Sequence, residues 1–148
     1  MAIKFKDLNE IKTYIERARQ ETIDSIYHKH ESLWKKFVVA NDEYTIPFLA
    51  IDSVYSHFQD LFDTTHYDLI VGPPGSGKGV ILITSTLLGY RVVLAADLSG
   101  ANILDLYGSA ERCQIPIAED EMDDIDDDPI KRKMYKIGYD LTGKTTTH

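Results

Sequence analysis

Tyr67-Asp68-Leu69-Ile70-Val71 runs without a break into Gly72-Pro73-Pro74-Gly75-Ser76-Gly77-Lys78-Gly79, and Val80 to Leu88 continues as a mostly apolar stretch that stops at Gly89. The first five residues have the short, mostly apolar character of a buried strand. The next eight are dominated by glycine and proline, the strongest local breakers of regular structure. The run behind them is long enough for a helix and ends at a glycine, a common helix stop. Strand, glycine loop and helix are therefore expected in that order, and this order sets the fold class.

The spacing from Gly72 to Lys78 is G-x-x-x-x-G-K, the phosphate-binding loop pattern called Walker A. Its residue types have a physical reason. Glycines permit backbone angles that turn several N–H groups toward one anion, the helix behind adds its positive end, and the lysine reaches the β and γ phosphates. The plain alternative is a turn that merely joins a strand to a helix. The expected phosphate-contacting set is Gly72, Pro73, Pro74, Gly75, Ser76, Gly77, Lys78, Gly79 and Val80, with Lys78 also serving catalysis and ATP as the guest. One position departs from the pattern: Gly79 stands where a Ser or Thr hydroxyl usually ligates Mg²⁺. The ion would then rest on nucleotide oxygens, water and a carboxylate from elsewhere, and hydrolysis would be slowed more than binding. Ser76 suits phosphate contact, while Thr84 to Thr86 fall one to two turns along the helix and are not assigned as ligands.

That carboxylate is sought downstream. Arg91 to Ala96 reads as a second buried strand, Asn102 to Tyr107 as a short helix, and Gln114 to Ala118 as a third strand. The alternation favours a parallel sheet covered by helices. The third strand runs into Glu119-Asp120-Glu121, an arrangement similar to Walker B. A carboxylate at a strand tip can hold hydrated Mg²⁺ and the next can orient or deprotonate the attacking water. Asp120 is expected at the metal and Glu121 at the water. A shift of one residue would make Glu119 and Asp120 the pair. Asp123 to Asp128 reads as a hydrated acidic loop, and the glycine and terminal glutamate spacing of an EF-hand is missing. Other candidates are blander. His28 and His30, two apart on a helix, read as solvated surface, and His57 and His66 as packing or surface residues. Lys131, Arg132, Lys133 and Lys136 read as a solvated helix face, with contact to phosphates as the alternative. No feature singles out Arg91 or Arg112.

Upstream of the loop, apolar residues return at near-helical spacing from Leu8 through Ile11, Ile15 and Ala18 to Ile26, Trp34 and Phe37, as one long amphipathic helix or two in tandem. This stripe is expected to pack on the domain behind it, with a coiled-coil arm as the alternative. A further helix is expected with Thr45 as cap, Pro47 in its first turn, and Phe48, Ile51, Val54 or Tyr55, Phe58 and Leu61 or Phe62 along its core face. The expected division is 1–65 helical region, 66–128 nucleotide-binding core, and 129–148 basic helix with a polar tail.

The whole chain, 148 residues with 43% hydrophobic and 27% charged residues, has a globular composition. Its net charge of −8 argues against a surface built simply to coat nucleic acid or anionic lipid. The whole of that net charge is matched by the acidic residues of Glu119 to Asp128, and the remainder of the chain balances. A single cysteine, Cys113, forms no intrachain disulfide, and no signal peptide or apolar run of membrane-spanning length is present, so a cytoplasmic protein is expected.

Taken together, Tyr67 to Lys78, Arg91 to Ala96 and Ile115 to Glu121 resemble the first half of an additional-strand P-loop ATPase of the helicase-like kind found in archaeal or viral primase and plasmid replication proteins. The likeness covers Ile46 to Asp128, including Tyr55 to Phe62 as the helix before the loop. It implies ATP binding, Mg²⁺-dependent hydrolysis coupled to DNA handling within a larger assembly, and either a homo-oligomer or a piece of a longer replication protein. It also implies a fourth strand between the P-loop and Walker B strands, carrying a sensor of the γ phosphate. No such strand is legible after Glu121. Either the chain is part of a longer ATPase, or the two strands pair directly in a partial P-loop parallel sheet behind the N-terminal helical region. Two other functions fit the residues: a nucleotide-responsive or truncated interaction module without turnover, and a nucleoside monophosphate kinase. Some of these kinases also carry Gly after the loop lysine, though Val80 and the late position of the loop depart from them.

Overall fold

A computed structural model of the chain describes residues 6–62, 65–96, 98–108, 116–120 and 127–137. It is a mixed α/β structure, mostly helical, with one small parallel sheet. The long N-terminal stripe is two helices, α1 (Leu8–Gln20) and α2 (Ile23–Phe37). The break between them is a capping box: the Thr22 hydroxyl accepts from Ser25 N, and the Ser25 hydroxyl accepts from Thr22 N. These bonds satisfy donors at the start of α2 and fix its first turn. Helix α1 buries none of its residues, so its stripe is not packed on the domain behind it.

Helix α3 spans Thr45–Tyr55, and Tyr44 rather than Thr45 precedes its first turn. The capping oxygens come from Asp42, which accepts from Tyr44 N at 2.8 Å and from Thr45 N at 2.7 Å, with the Thr45 hydroxyl as a third donor at 2.7 Å. The core face of α3 is also turned from expectation. Of the expected positions Val54 is buried, whereas Phe48, Ile51, Phe58, Leu61 and Phe62 remain exposed; Ile46, Leu49 and Ala50 complete the buried face.

The main core is built around Trp34 on α2, with Ile46, Leu49 and Ala50 of α3 closing over it. Ile81 and Leu88 of α4 (Lys78–Leu88) pack against the same cluster, so the helix that follows the glycine loop is fastened to the N-terminal helical pair. Burying a tryptophan removes roughly 150–250 Å² from water, about 4–6 kcal/mol at the usual area coefficient. The indole N–H keeps a partner, donating to Ser53 Oγ at 3.3 Å.

On its other side α4 meets the sheet. Strand β1 (Val93–Ala95) and strand β2 (Ile117–Glu119) pair in parallel, with Val93 opposite Ile117 and Ala95 opposite Glu119. Helix α5 (Gly100–Gly108) lies between them in sequence, within the long connection that parallel strands require. Two of the three expected strands are thus present, in shortened form. The third is not: residues 65–71 form no strand. Leu69 is 81% and Val71 82% exposed, and among the described residues no strand borders this apolar segment. Nor do the segment before the loop and the Walker B-like strand pair directly; β2 pairs with β1.

Helix α6 (Pro129–Ile137) closes the far end. Asp128 caps it, accepting from Ile130 N and Lys131 N at 2.9 Å each, and also accepts from Gly100 N at 2.8 Å. These backbone donors hold its carboxyl below the ordinary range. Gly100 permits this approach, since a Cβ there would lie 2.7 Å from Lys131 N. Lys131, expected on a solvated face, is 0% exposed. Its ammonium lies 2.6 Å from Glu119 Oε1. The other Glu119 oxygen accepts from the Tyr135 hydroxyl, and Leu98 N donates to Oε1 at 3.2 Å. No described helix is long and apolar enough to cross a membrane.

A buried ion pair of this kind is destabilised far more by loss of one partner than by loss of both. Glu119→Gln or Lys131→Met is expected to cost about 3–5 kcal/mol in urea unfolding, and the double variant less than the sum of the two. Strictly additive losses would remove the pair from the list of what holds α6 to β2.

Candidate functional site

The glycine loop has a defined shape. Ser76 N donates to Pro73 O at 3.2 Å, closing a turn over Pro73–Ser76 with Gly75 at φ 79°. Proline in the second position and a positive-φ glycine in the third are the residues of a type II turn. Gly77 follows at φ 91° and occupies the N-terminal cap of α4, where no side chain accepts from the first amides. Gly77 O instead accepts from Val80 N at 3.0 Å and Ile81 N at 3.2 Å, which starts the helix. The amides of Lys78 and Gly79, ahead of those bonds, have no acceptor within the helix and point outward along its axis. Above them is open space: a Cβ built on Gly75, Gly77 or Gly79 would meet nothing within 4 Å. Any residue other than glycine at positions 75 and 77 would be strained by the left-handed backbone.

Lys78 bends back across this loop. Its Nζ donates to Gly72 O at 2.6 Å and to Pro73 O at 3.1 Å. Both acceptors are neutral carbonyls, and no described carboxylate pairs with the ammonium. A half-buried positive charge held only by carbonyls is well disposed to move onto an anion.

The remaining sequence candidates are placed less closely. Asp120 follows β2, tied through its backbone N to Ala95 O at 2.9 Å, with its side chain exposed and joined to no described residue of the glycine loop. Glu121 lies outside the described residues, as do Asp123, Asp124, Asp126, Arg112 and Cys113. Glu119, the alternative metal carboxylate, is committed to Lys131, Tyr135 and Leu98 N; that removes it from the shifted pair and leaves Asp120 as the described strand-tip carboxylate facing solvent. Thr84 is buried in the face of α4, and the Thr86 hydroxyl donates to Leu82 O, so neither supplies the hydroxyl that Gly79 lacks. The basic patch shrinks accordingly: with Lys131 inside, Arg132, Lys133 and Lys136 stay exposed.

Three histidines have partners that spacing did not reveal. His30 is half-buried, with Nδ1 2.8 Å from Ser53 Oγ. That hydroxyl already donates to Ala50 O, so it accepts from His30, which places the proton on Nδ1. His57 Nε2 donates to Leu88 O at 3.0 Å and joins the end of α4 to the turn after α3. His66 lies between Asp52 of α3 and Asp68, two residues further along the chain. The alternation His66-x-Asp68 in an extended segment was the available signal for this cluster, because it puts both side chains on one side.

Comparison with family models, with curated proteins and with solved structures gives no match to this chain.

Burial, and then the neighbouring His57, push His30 below its ordinary 6.5. As pH falls through that value the unfolded chain takes up a proton that the folded chain refuses, so stability falls until pH passes below the folded value. Thermal melts from pH 7.5 downward are expected to show this loss, and His30→Gln to flatten it. An unchanged slope in the variant would assign the effect to other groups.

Proposed function

We propose that this chain is a nucleotide-binding module that encloses the phosphates of ATP with the 72–79 loop. The observation that carries the reading is the coincidence, in one loop, of two positive-φ glycines beneath open space, an uncapped helix start and a lysine whose charge no described carboxylate neutralises. The first-turn amides of α4 would bind the phosphate oxygens, aided by the helix's positive end. Lys78 would exchange the carbonyls of Gly72 and Pro73 for the β and γ phosphates.

The donors present fit Mg²⁺ only in part. Asp120 is exposed and free of described side-chain partners, and position 79 has no hydroxyl. Asp120 would hold the hydrated ion, with the remaining ligands coming from phosphate and water. Bound in this way, Mg²⁺ neutralises charge on the β and γ oxygens. Glu121 is the group proposed to accept a proton from the attacking water, and hydrolysis so driven would serve DNA replication or helicase-like work in a larger assembly. A second reading, binding without turnover, is favoured by one observation: the Glu119 carboxylate is neutralised by Lys131, so one acidic group of the strand tip is withdrawn from metal or water.

Calorimetric titration with ATP and Mg²⁺ tests the reading. Lys78→Ala removes a charge-assisted contact of about 1.5–3 kcal/mol and is expected to weaken ATP at least about tenfold. Phosphate release that disappears in Glu121→Gln selects the ATPase over the silent module. Equal ATP affinity in the parent and in Lys78→Ala would sink both.

A further inference from the structure

Asp52, His66 and Asp68 form a second constellation, outside the glycine loop. One donor atom from each lies within 4.8 Å of the other two. His66 Nε2 is 2.7 Å from Asp52 Oδ1 and 3.5 Å from Asp68 Oδ1. A Zn²⁺ ion with bonds of about 2.0–2.1 Å to nitrogen and oxygen spaces its tetrahedral ligands by roughly 3.3 Å. The two spacings from His66, 2.7 and 3.5 Å, bracket that value, and an outward shift of Asp52 from His66 would bring the first of them to it.

Charge points the same way. Two carboxylates share the space, and among the described residues neither pairs with a lysine or arginine; His66 is the basic group that faces them. The arrangement therefore lacks positive charge at its centre. Donor type narrows the choice of ion: an imidazole with two carboxylates suits a first-row transition ion, while Mg²⁺ and Ca²⁺ prefer all-oxygen shells.

We propose that Asp52, His66 and Asp68 form a binding site for a divalent transition-metal ion, with Zn²⁺ the best fit, bound by three protein ligands and with water in the fourth position. The site ties two parts of the chain together. Asp52 belongs to α3, whereas His66 and Asp68 sit on the extended segment that enters the glycine loop and that no sheet pairing holds. An ion there fastens the loop's leading segment to the helical region. The proposal does not depend on the nucleotide reading, and its test uses buffer free of nucleotide and phosphate.

Calorimetry of the full chain with ZnCl₂ is expected to give one equivalent bound, a raised melting temperature, and binding at least about tenfold weaker in His66→Gln and in Asp68→Asn. CaCl₂ and MgCl₂ should not compete at equal concentration. Because a variant might lose structure for other reasons, a second measurement uses the unaltered chain: ¹⁵N-histidine spectra in which Zn²⁺ shifts the His66 Nε2 resonance ahead of those of His28, His30, His57 and His148. No zinc uptake, uptake equal in His66→Gln that retains the parent circular dichroism, or a first shift at another histidine would overturn the proposal and leave a hydrogen-bonded cluster.

Discussion

The burial of Trp34 under Ile46, Leu49 and Ala50, with Ile81 and Leu88 packed on the same cluster, is the contact on which the placement of every candidate group depends. It joins α4 to the helical pair α2 and α3, and α4 is the element that carries the glycine loop. The hydrogen bonds around the cluster secure the same joint. Ser56 Oγ donates to Ser53 O and accepts from Tyr90 N just beyond α4, and His57 reaches Leu88 O. With the C-terminal half of α4 pinned in this way, its N-terminus can be left open. The uncapped start of the helix and the vacant space over Gly75, Gly77 and Gly79 cost little because the stabilising contacts lie further along.

What was legible in the sequence was what local chemistry decides. The type II turn at Pro73–Ser76 follows from Pro74 and Gly75, and the left-handed cap at Gly77 follows from glycine alone, so the loop could be read before any partner was known. A parallel sheet was legible from the alternation of elements; that β1 and β2 are the strands that pair was not. The strand expected at Tyr67 to Val71 was not realised, because an extended apolar run becomes a strand only if other strands border it, and no local pattern supplies them. Lys131 and His30 were misread for a related reason, and the partners of His66, exposed as expected, were not foreseen. Each is polar and reads as surface until the chain brings Glu119, Ser53 or Asp52 to it from 12 to 23 residues away.

Lys131 shows how such a misreading changes chemistry as well as packing. A lysine on the outer face of α6 would have joined Arg132, Lys133 and Lys136 in a patch able to meet phosphates. Turned inward, it instead pairs with Glu119 and fixes the direction of that side chain. The neighbouring carboxylates then divide their work: Glu119 holds β2 to α6, while Asp120 is left at the strand end facing water. Glu119 is the last residue of β2 and Asp120 the first beyond it, so the division falls at the point where the strand ends.

The segment before the loop meets α3 with polar and apolar side chains alike. His66 pairs with Asp52 of α3, with Asp68 beside it, while Tyr67 and Leu69 line an open cleft with Thr45, Phe48 and Leu49 of the same helix and stay exposed. A conventional strand in that position would be held by hydrogen bonds along both edges and would need no side-chain anchor. Here polar side chains on one face take over part of that role, close to the first glycine of the loop. Ordering of residues 65–71 and the aim of the loop's amides are therefore linked through Gly72, whose carbonyl Lys78 already holds. Whatever stiffens that segment also narrows the range of positions open to the lysine, and a loop so restrained loses less entropy on closing around an anion.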